Sequence, residues 1–241
     1  MPQTIWPTIK NRLLAALSRE DFDRFFPDIQ LVSLSLRQIL FEVGAPLEHV
    51  YFIEEGVASV LTTMANGANT EVGMIGAEGM VGLPALLGGE MSAQHVVVQI
   101  PGNALRMSAA LCKAGFDQSA TIRSTFLRFT EAILNLSVQT AACNRLHAID
   151  QRCARWLLMA FDRVQSDVMP MTQEFLSSLL GVRRAGVTEA AGELQRSGLI
   201  RYQHGRITLL DREGLEETAC ECYRIDHKRL VRLIADRDPA G

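Results

Sequence analysis

Apolar residues change their spacing along the chain. Between about residues 5 and 26 they recur at helical intervals, which predicts short helices that Pro27 ends. From about residue 29 to 107, short β-type runs alternate with glycines, as is typical of a barrel, roll or sandwich. The clearest runs are 39–41, 50–53, 57–61, 71–75 and 95–100. Asn66-Gly67 fits a two-residue hairpin turn.

Residues 117–146 return to helical spacing and contain no glycine or proline. An apolar stripe runs along this segment, and Leu134 and Val138 widen it. The stripe consists of Phe126, Phe129, Ile133, Leu136 and Thr140. Its partner is either the chain's own roll or a second copy of the helix. We favour a symmetric helix pair, because a helix this long would extend beyond a small roll. Another helix is predicted over 151–164, with Asp150 as its N-cap.

Two short helices and a tight turn are predicted next. Thr172 is a suitable N-cap for the first helix, and Gly181 permits the left-handed conformation of a sharp turn. The second helix begins near Arg183 or Arg184, and Gly198 marks its end.

The segments 199–202 and 206–210, on either side of Gln203-His204-Gly205, predict a β-hairpin. Helix, turn, helix and hairpin are together the pattern of a winged helix-turn-helix. The second helix of that motif fits the major groove of DNA.

The composition fits a folded chain with a real core, since 48% of residues are hydrophobic and 21% are charged. No apolar run reaches membrane-spanning length, and the first 20 residues lack a signal-peptide pattern, so we expect a cytoplasmic protein. The net charge of −3 does not suggest a nucleic-acid binder. The stretch 171–210, however, carries five Arg and three Glu, and arginine suits forked contacts to phosphate and guanine.

Three segments resemble the Crp/Fnr superfamily of bacterial transcription regulators. They are HVYFIEEGVASV at 49–60, IGAEGMVGLPALLGG at 75–89 and MTQEFLSSLLGVRRAGVTEAAGELQRSGLIRY at 171–202. The resemblance implies an α+β fold with a β-roll of the cyclic-nucleotide-binding type, a long dimerisation helix and a C-terminal winged helix-turn-helix. The corresponding divisions are 1–28 for N-terminal helices, 29–116 for the roll, 117–147 for the dimerisation helix and 148–241 for the DNA-binding domain.

The resemblance also implies a homodimer that binds duplex DNA at a palindromic promoter site. RNA polymerase and an unidentified small-molecule effector are further partners that the family allows, whereas a membrane partner is not expected. A regulatory ligand-binding subunit of a larger assembly is the alternative, because similar rolls occur there. Such a subunit would not need residues 171–210.

In this family the first turn of the recognition helix contacts the bases. Arg184 matches a guanine-reading arginine of the cyclic-AMP-responsive branch, but Ala185 and Glu189 replace that branch's glutamate and second arginine. Glu189 is either a solvated charge or an acceptor for a cytosine amine. We therefore expect a different operator. The predicted DNA-contacting residues are Thr172, Gln173, Arg183, Arg184, Thr188, Glu189, Arg201 and Arg206.

Within this set, Thr172 and Gln173 are expected to contact phosphate from the N-terminus of the first helix. For Arg201 and Arg206 in the hairpin, phosphate contact and an ordinary surface position remain equally open.

The effector anchors of known branches are missing. Met80 stands where cyclic-nucleotide-binding members have a ribose-binding glutamate, and residues 90–94 have no basic side chain for a cyclic phosphate. We therefore expect no tight binding of cyclic AMP or cyclic GMP. The oxygen-sensing branch needs N-terminal cysteines for an iron–sulfur cluster, but the first cysteine is Cys112. Haem-binding members use an N-terminal proline and a histidine of the roll. Pro2 and His95 are present here, but a proline after the first methionine is common and a lone histidine is usually structural.

We expect no cofactor and no metal site. The five cysteines are an odd number with irregular spacing, which does not indicate a disulfide framework. Cys220 and Cys222 fall in a helical context that would turn their thiols to different sides, so a buried, inert pair is favoured, and a redox role is left open. The histidines His49, His95, His147 and His204 show no metal-ligand spacing.

An enzyme is not expected. The chain has no phosphate-binding Gly-x-x-x-x-Gly-Lys loop, no Gly-x-Ser-x-Gly turn and no His-Glu-x-x-His helix. The glycines at 73, 76, 79 and 82 lie between β-type runs, where turns explain them better than a phosphate loop does.

Overall fold

The computed structural model describes residues 9–164 and 166–235, which form two compact units. The first contains residues 9–58, 75–134 and 230–235, and the second contains residues 59–74, 135–164 and 166–229. None of the helices in these described ranges combines the length and the apolarity of a membrane span.

The first unit begins with two short helices, α1 (Arg12–Ala15) and α2 (Arg19–Phe25). Helix α2 ends two residues before Pro27, as predicted. Asn11 caps α1 and is fully buried. Its Nδ2 donates to the carbonyls of Ile53 and Gly79, both at 2.8 Å. This one side chain therefore fixes α1 against the roll.

Six strands form the sheet of the roll, in the order β1-β6-β3-β4, with β2 also on β6 and β5 also on β3. The strands are β1 (Gln30–Leu34), β2 (Ile39–Phe41), β3 (His49–Thr63), β4 (Asn69–Ile75), β5 (Met80–Val81) and β6 (His95–Ser108). All five predicted β-type runs lie in these strands. The runs 50–53 and 57–61 are parts of one long strand, and β1 and β5 were not predicted.

The β3–β4 hairpin turns near Asn66 and Gly67, but its turn differs from the predicted one. Residues 64–68 form a five-residue loop, in which the Gly67 N–H donates to the Met64 carbonyl and the Asn66 side chain accepts from the Ala68 N–H. A two-residue turn of the expected type needs positive φ at both central residues, and only Gly67 has it.

Two helices follow the roll, α3 (Ala109–Gln118) and α4 (Ala120–Leu146). The aromatic part of the predicted stripe on α4 packs into the roll's own core. Phe126 and Phe129 are fully buried, and the Phe126 ring lies 6.0 Å from that of Phe52. A Cβ on Gly79 would lie 2.3 Å from the Phe129 ring, so this contact requires glycine. The alternative that the stripe packs on its own roll is correct for this part of α4.

Three of the exposed apolar side chains of α4 lie along one side of the helix. Leu127, Leu134 and Val138 have 46%, 62% and 62% of their surface accessible. At 100° per residue these positions fall within about 40° of one another around the helix axis. We call them the outer stripe. The prediction of a stripe available to a partner was therefore wrong for Phe126 and Phe129, which pack in the roll. Leu134 and Val138, which were predicted to widen the stripe, are exposed.

The second unit is built on α5 (Ile149–Phe161), whose residues from Arg152 to Phe161 are all buried. Ala148, rather than Asp150, is the N-cap, and Asp150 lies in the first turn. A carboxylate there still interacts favourably with the helix dipole. The remaining elements are β7 (Val168–Pro170), α6 (Gln173–Leu180), α7 (Arg184–Arg196), β8 (Ile200–Gln203), β9 (Arg206–Leu209), α8 (Arg212–Thr218) and α9 (Cys222–Ala235).

Glu71 on β4 is a buried acid in the second unit. Its carboxylate accepts hydrogen bonds from the Trp156 indole at 2.9 Å and from the Ser59 hydroxyl. Burial raises the pKa of Glu71 to about 7, although these two hydrogen bonds and the charges of Arg163 and Arg155 act in the opposite direction. The folded protein therefore binds a proton here that the unfolded chain releases at lower pH.

This proton gives a testable pH dependence. Because the folded-state pKa is raised, the stabilising effect of protonation is complete below the unfolded-state pKa near 4.5 and is lost as the pH rises through about 7. Glu71→Gln keeps a neutral, hydrogen-bonding side chain at every pH. We expect this variant to exceed the parent in free energy of unfolding by about 1–3 kcal/mol at pH 8 and to match it near pH 5.

Thermal unfolding at both pH values measures the effect. Glu90→Gln, at an exposed position, is the matched control and should follow the parent. If the stability of Glu71→Gln and that of the parent changed equally with pH, the raised pKa of Glu71 would be contradicted.

Candidate nucleic-acid interface

Helices α6 and α7 pack together through one apolar face each. Thr172 caps α6, because its hydroxyl oxygen accepts from the Phe175 N–H at 3.2 Å. The cap was predicted from the sequence and is confirmed. The buried positions of α6 are Leu176, Ser177, Leu179 and Leu180, and those of α7 are Val187, Ala190, Ala191 and Leu194.

The turn between the two helices depends on Gly181. Its φ of 63° lies in the left-handed region that glycine adopts at little cost, as predicted. A Cβ at this position would also lie 2.8 Å from the Thr70 hydroxyl. The buried guanidinium of Arg152 donates to the Leu180 carbonyl at the end of α6, where a cation complements the helix dipole.

The outward face of α7 carries the predicted base-reading residues. Arg184, Ala185, Thr188 and Glu189 are exposed, while Val187 on the opposite face is fully buried. This division follows from the helical period, and it leaves the first turns of α7 open to a ligand. The helix begins at Arg184, within the predicted start.

Thr188 links the two helices on this surface. Its hydroxyl lies 2.9 Å from the Gln173 side-chain oxygen and 3.0 Å from the Arg184 carbonyl. Arg183 is the N-cap of α7 and makes no side-chain capping bond. The N-terminus of α7 therefore presents a positive dipole end without a side-chain cap, which favours an anion such as phosphate.

The wing is a three-stranded sheet in the order β7-β9-β8. His204 and Gly205, both with positive φ, form its two-residue tip. Arg206 pairs directly with Gln203, which lies two residues beyond Arg201 on β8. Cross-strand partners and alternate residues share a face, so Arg201 and Arg206 project from the same side of the wing.

The wing is also held against α7. The side chain of Gln195, in the last turns of α7, accepts from the Tyr202 N–H at 2.7 Å. The eight predicted DNA-contacting residues thus all lie within residues 172–206 of the second unit. Seven of them are exposed, and Gln173 is half-buried.

The expected anchor positions for a cyclic nucleotide in the roll do not fit that ligand. Met80 on β5 is fully buried and offers no acceptor for a ribose hydroxyl. In the segment 90–94, the Ser92 hydroxyl donates to the Gln94 carbonyl. The backbone of this segment forms hydrogen bonds with the backbone of residues 44–47. His95 lies 3.1 Å from the carboxylate of Glu42. Pro2, the other residue compared with haem-binding members, lies outside the described residues.

A group of metal-ligand side chains was missed in the sequence. Cys143 and His147, at the end of α4, lie beside Cys220 and Cys222, at the start of α9. Cys220 precedes α9 rather than lying in it, so the expectation that the two thiols point to different sides of a helix was wrong. The available signal was the four-residue interval between Cys143 and His147, which places both on one helix face.

Two family models match the chain. One describes a Crp-like helix-turn-helix domain and matches residues 151–218, and the other describes a cyclic nucleotide-binding domain and matches residues 31–118. The transcriptional regulator SdrP of Thermus thermophilus is 44% identical over 52 residues, which is 22% of this chain and 26% of that protein. The match therefore spans about a quarter of that curated relative.

Solved structures show the same fold. FixK2 from Bradyrhizobium japonicum superposes with a TM-score of 0.69 at 15% identity, over 80% of this chain and 98% of that one. TTHA1359, a transcriptional regulator of the CRP/FNR family from Thermus thermophilus, gives a TM-score of 0.65 at 21% identity, over 79% and 98%. These likenesses confirm the α+β class, with an N-terminal roll and a C-terminal helix-turn-helix.

The exposed position of Arg184 makes a specific prediction. If its guanidinium reads a base, Arg184→Ala should weaken binding to the chain's own operator by about 1–3 kcal/mol and relax the preference at one base-pair position. Arg196→Ala is the control, because Arg196 is exposed at the other end of α7 and pairs with Glu193. Binding measured across single-base operator variants separates the outcomes. Equal weakening on every sequence would show that Arg184 contacts phosphate only.

Proposed function

Because this chain belongs to the Crp/Fnr family of transcription regulators, we propose that it binds duplex DNA as a homodimer at a two-fold symmetric promoter site. The observation that carries the proposal is the exposed first half of α7. Its inner face is buried in the second unit, and its outer face presents Arg184, Thr188 and Glu189. A major groove about 12 Å wide admits one such helix.

The wing and the helix ends support the same orientation on DNA. Arg201 and Arg206 project from one face of the wing, and Arg183 stands at the N-terminus of α7. In our proposal these arginines, with Thr172 and Gln173, contact phosphates and fix the register of α7 in the groove. Base preference then comes from the first turns of α7.

The outer stripe supports a symmetric dimer. Leu127, Leu134 and Val138 repeat at intervals of seven and four residues, which is the spacing of a coiled-coil seam. Exposed leucine and valine side chains in one line along a helix gain most from a second copy of the same stripe. We propose that the two copies of α4 pair along this stripe and so set the distance between two recognition helices.

We retain the domain division suggested by the sequence as part of the proposal. It assigns residues 1–28 to N-terminal helices, 29–116 to the roll, 117–147 to dimerisation and 148–241 to DNA binding. RNA polymerase is a proposed partner, and a DNA-bound regulator would act in the cytoplasm. Any effector would be something other than a cyclic nucleotide, since Met80 and the segment 90–94 lack the polar anchors. The family consists of regulators, and we propose no catalytic role.

The dimer can be tested by light scattering of the purified chain, alone and bound to a mixed-sequence duplex. A duplex of about 30 base pairs has room for two half-sites about 10 base pairs apart. We expect two chains per particle at micromolar concentration and two chains per duplex. Leu134→Glu combined with Val138→Glu should give a monomer, because four carboxylates would face one another across the seam.

Leu31→Glu is the matched control, since Leu31 is a comparably exposed leucine on β1 of the roll. A wild-type chain that is monomeric both alone and on DNA would show that the outer stripe does not pair two chains, and it would contradict the two-fold operator.

A further inference from the structure

Four side chains with metal-binding atoms meet at one point in the second unit. They are Cys143, His147, Cys220 and Cys222, and all their ligand atoms lie within 4.8 Å of one another. The three cysteines are buried and none is in a disulfide. His147 is largely buried, with 17% of its side chain exposed. The group comes from the C-terminal end of α4 and from the turn that leads into α9.

Two distances among these atoms are close to the edges of a small tetrahedron. With Zn–S bonds of about 2.3 Å and Zn–N bonds of about 2.0 Å, a tetrahedral site has S···S edges of about 3.8 Å and S···N edges of about 3.5 Å. The Sγ atoms of Cys143 and Cys220 are 3.5 Å apart, and Cys222 Sγ lies 3.6 Å from His147 Nδ1. Since all the ligand atoms lie within 4.8 Å of one another, an ion at the centre would reach all four after the longest separations shorten by up to about 1 Å.

The surrounding contacts are those that a metal site requires. His147 presents Nδ1 to the cluster, while its Nε2 lies 3.2 Å from the carboxylate of Glu221. A carboxylate behind a ligating histidine fixes the ring and its tautomer and makes the ligating nitrogen more basic. Gln139 Nε2 donates to Cys222 Sγ at 3.1 Å, which is the bond that a thiolate accepts.

Two arginine side chains carry positive charge close to the thiols. Binding of a divalent ion would release the three thiol protons to solvent and leave a net charge of −1 on the ion and its thiolates. The buried guanidiniums of Arg152 and Arg155, both of which interact electrostatically with Cys143, would offset that charge.

We propose that Cys143, His147, Cys220 and Cys222 form a structural zinc site. Three thiolates and one imidazole in a closed, tetrahedral arrangement without a free position are the donor set of structural zinc. An iron–sulfur cluster fits less well, because it holds its thiolates on different irons and needs sulfurs that are farther apart. The observed separations, all within 4.8 Å, are nearer to those of a mononuclear site.

The site would join two segments that are 73 residues apart in the chain, from His147 to Cys220. The C-terminal end of α4 would be tied to the start of α9, which the ion pair between Arg155 and Asp226, at 2.7 Å, already holds to α5. Zinc would then stabilise the folded second unit, because the unfolded chain offers no preformed tetrahedron.

The first measurement is the metal content of the full chain, purified without a histidine tag and dialysed against metal-free buffer. We expect about one zinc per chain by mass spectrometry of the elements. Cobalt(II) added to chelator-treated protein should give the absorption of a tetrahedral, thiolate-bound ion. Cys143→Ser and Cys222→Ser should each lose the metal, whereas Cys112→Ser and Cys153→Ser, at buried cysteines outside the cluster, should keep it.

Two further measurements keep the proposal testable if a cysteine variant fails to fold. Glu221→Gln leaves the ligands intact and changes an exposed side chain, and it should weaken zinc affinity about 10–100-fold. In the wild-type chain, titration of thiols with a mercurial should release zinc into a dye as the cysteines react.

Three results would overturn the zinc assignment. The first is a chain that contains no zinc and takes up neither zinc nor cobalt alone. The second is iron with acid-labile sulfide in stoichiometric amount. The third is a Cys143–Cys220 disulfide in freshly purified protein, which would make the group a redox pair instead. None of these results depends on DNA binding, so this proposal and the proposed function can fail separately.

Discussion

The burial of one face of α7 is the constraint on which the proposed DNA interface depends. Val187, Ala190, Ala191 and Leu194 have almost no accessible surface, and α5 packs against the same helix. Removal of each of these side chains from water stabilises the folded state, and together their contacts prevent α7 from rotating about its axis. The residues that remain outside are consequently fixed, and Arg184 and Glu189 are among them. The same packing would align the N-terminus of α7 with the groove.

Several smaller contacts maintain that arrangement at its edges. Gly181 permits the sharp turn before α7, Arg152 binds the last carbonyl of α6, and Gln195 holds the wing. The proposed zinc site would act in the same unit, where α4 ends and α9 begins. The roll, by contrast, has a methionine buried where relatives that bind cyclic nucleotides place a polar anchor.

Much of the fold could be predicted because its signals are local. Thr172, Gly181 and Gly198 mark helix ends through backbone preferences that the surroundings do not override. The stripe on α4 was harder, since helical spacing shows that Phe126 is buried without showing whether the roll or a second chain covers it. The five-residue hairpin loop at Asn66 also escaped prediction, because the same dipeptide suits turns of different lengths.

The DNA interface and the proposed zinc site also differ in how local their sequence signals are. The DNA-contacting residues lie within 35 positions of one another, so that a single motif identified them, although their contacts with DNA stay predictions. The cysteine and histidine cluster combines two distant segments, and only the tertiary structure brings them together. The buried Glu71 was not predicted either, because its partner Trp156 is also distant in the sequence and its other partner, Ser59, lies on the neighbouring strand.

We propose that two copies of α7 read duplex DNA in a two-fold arrangement. Selection of bound sequences from a random duplex library, with purified protein and no added ligand, tests it most directly. We expect enrichment of a palindromic motif whose half-sites are centred about 10 base pairs apart. Enrichment of an asymmetric motif, or retention of DNA with no sequence preference and only a dependence on salt, would contradict it.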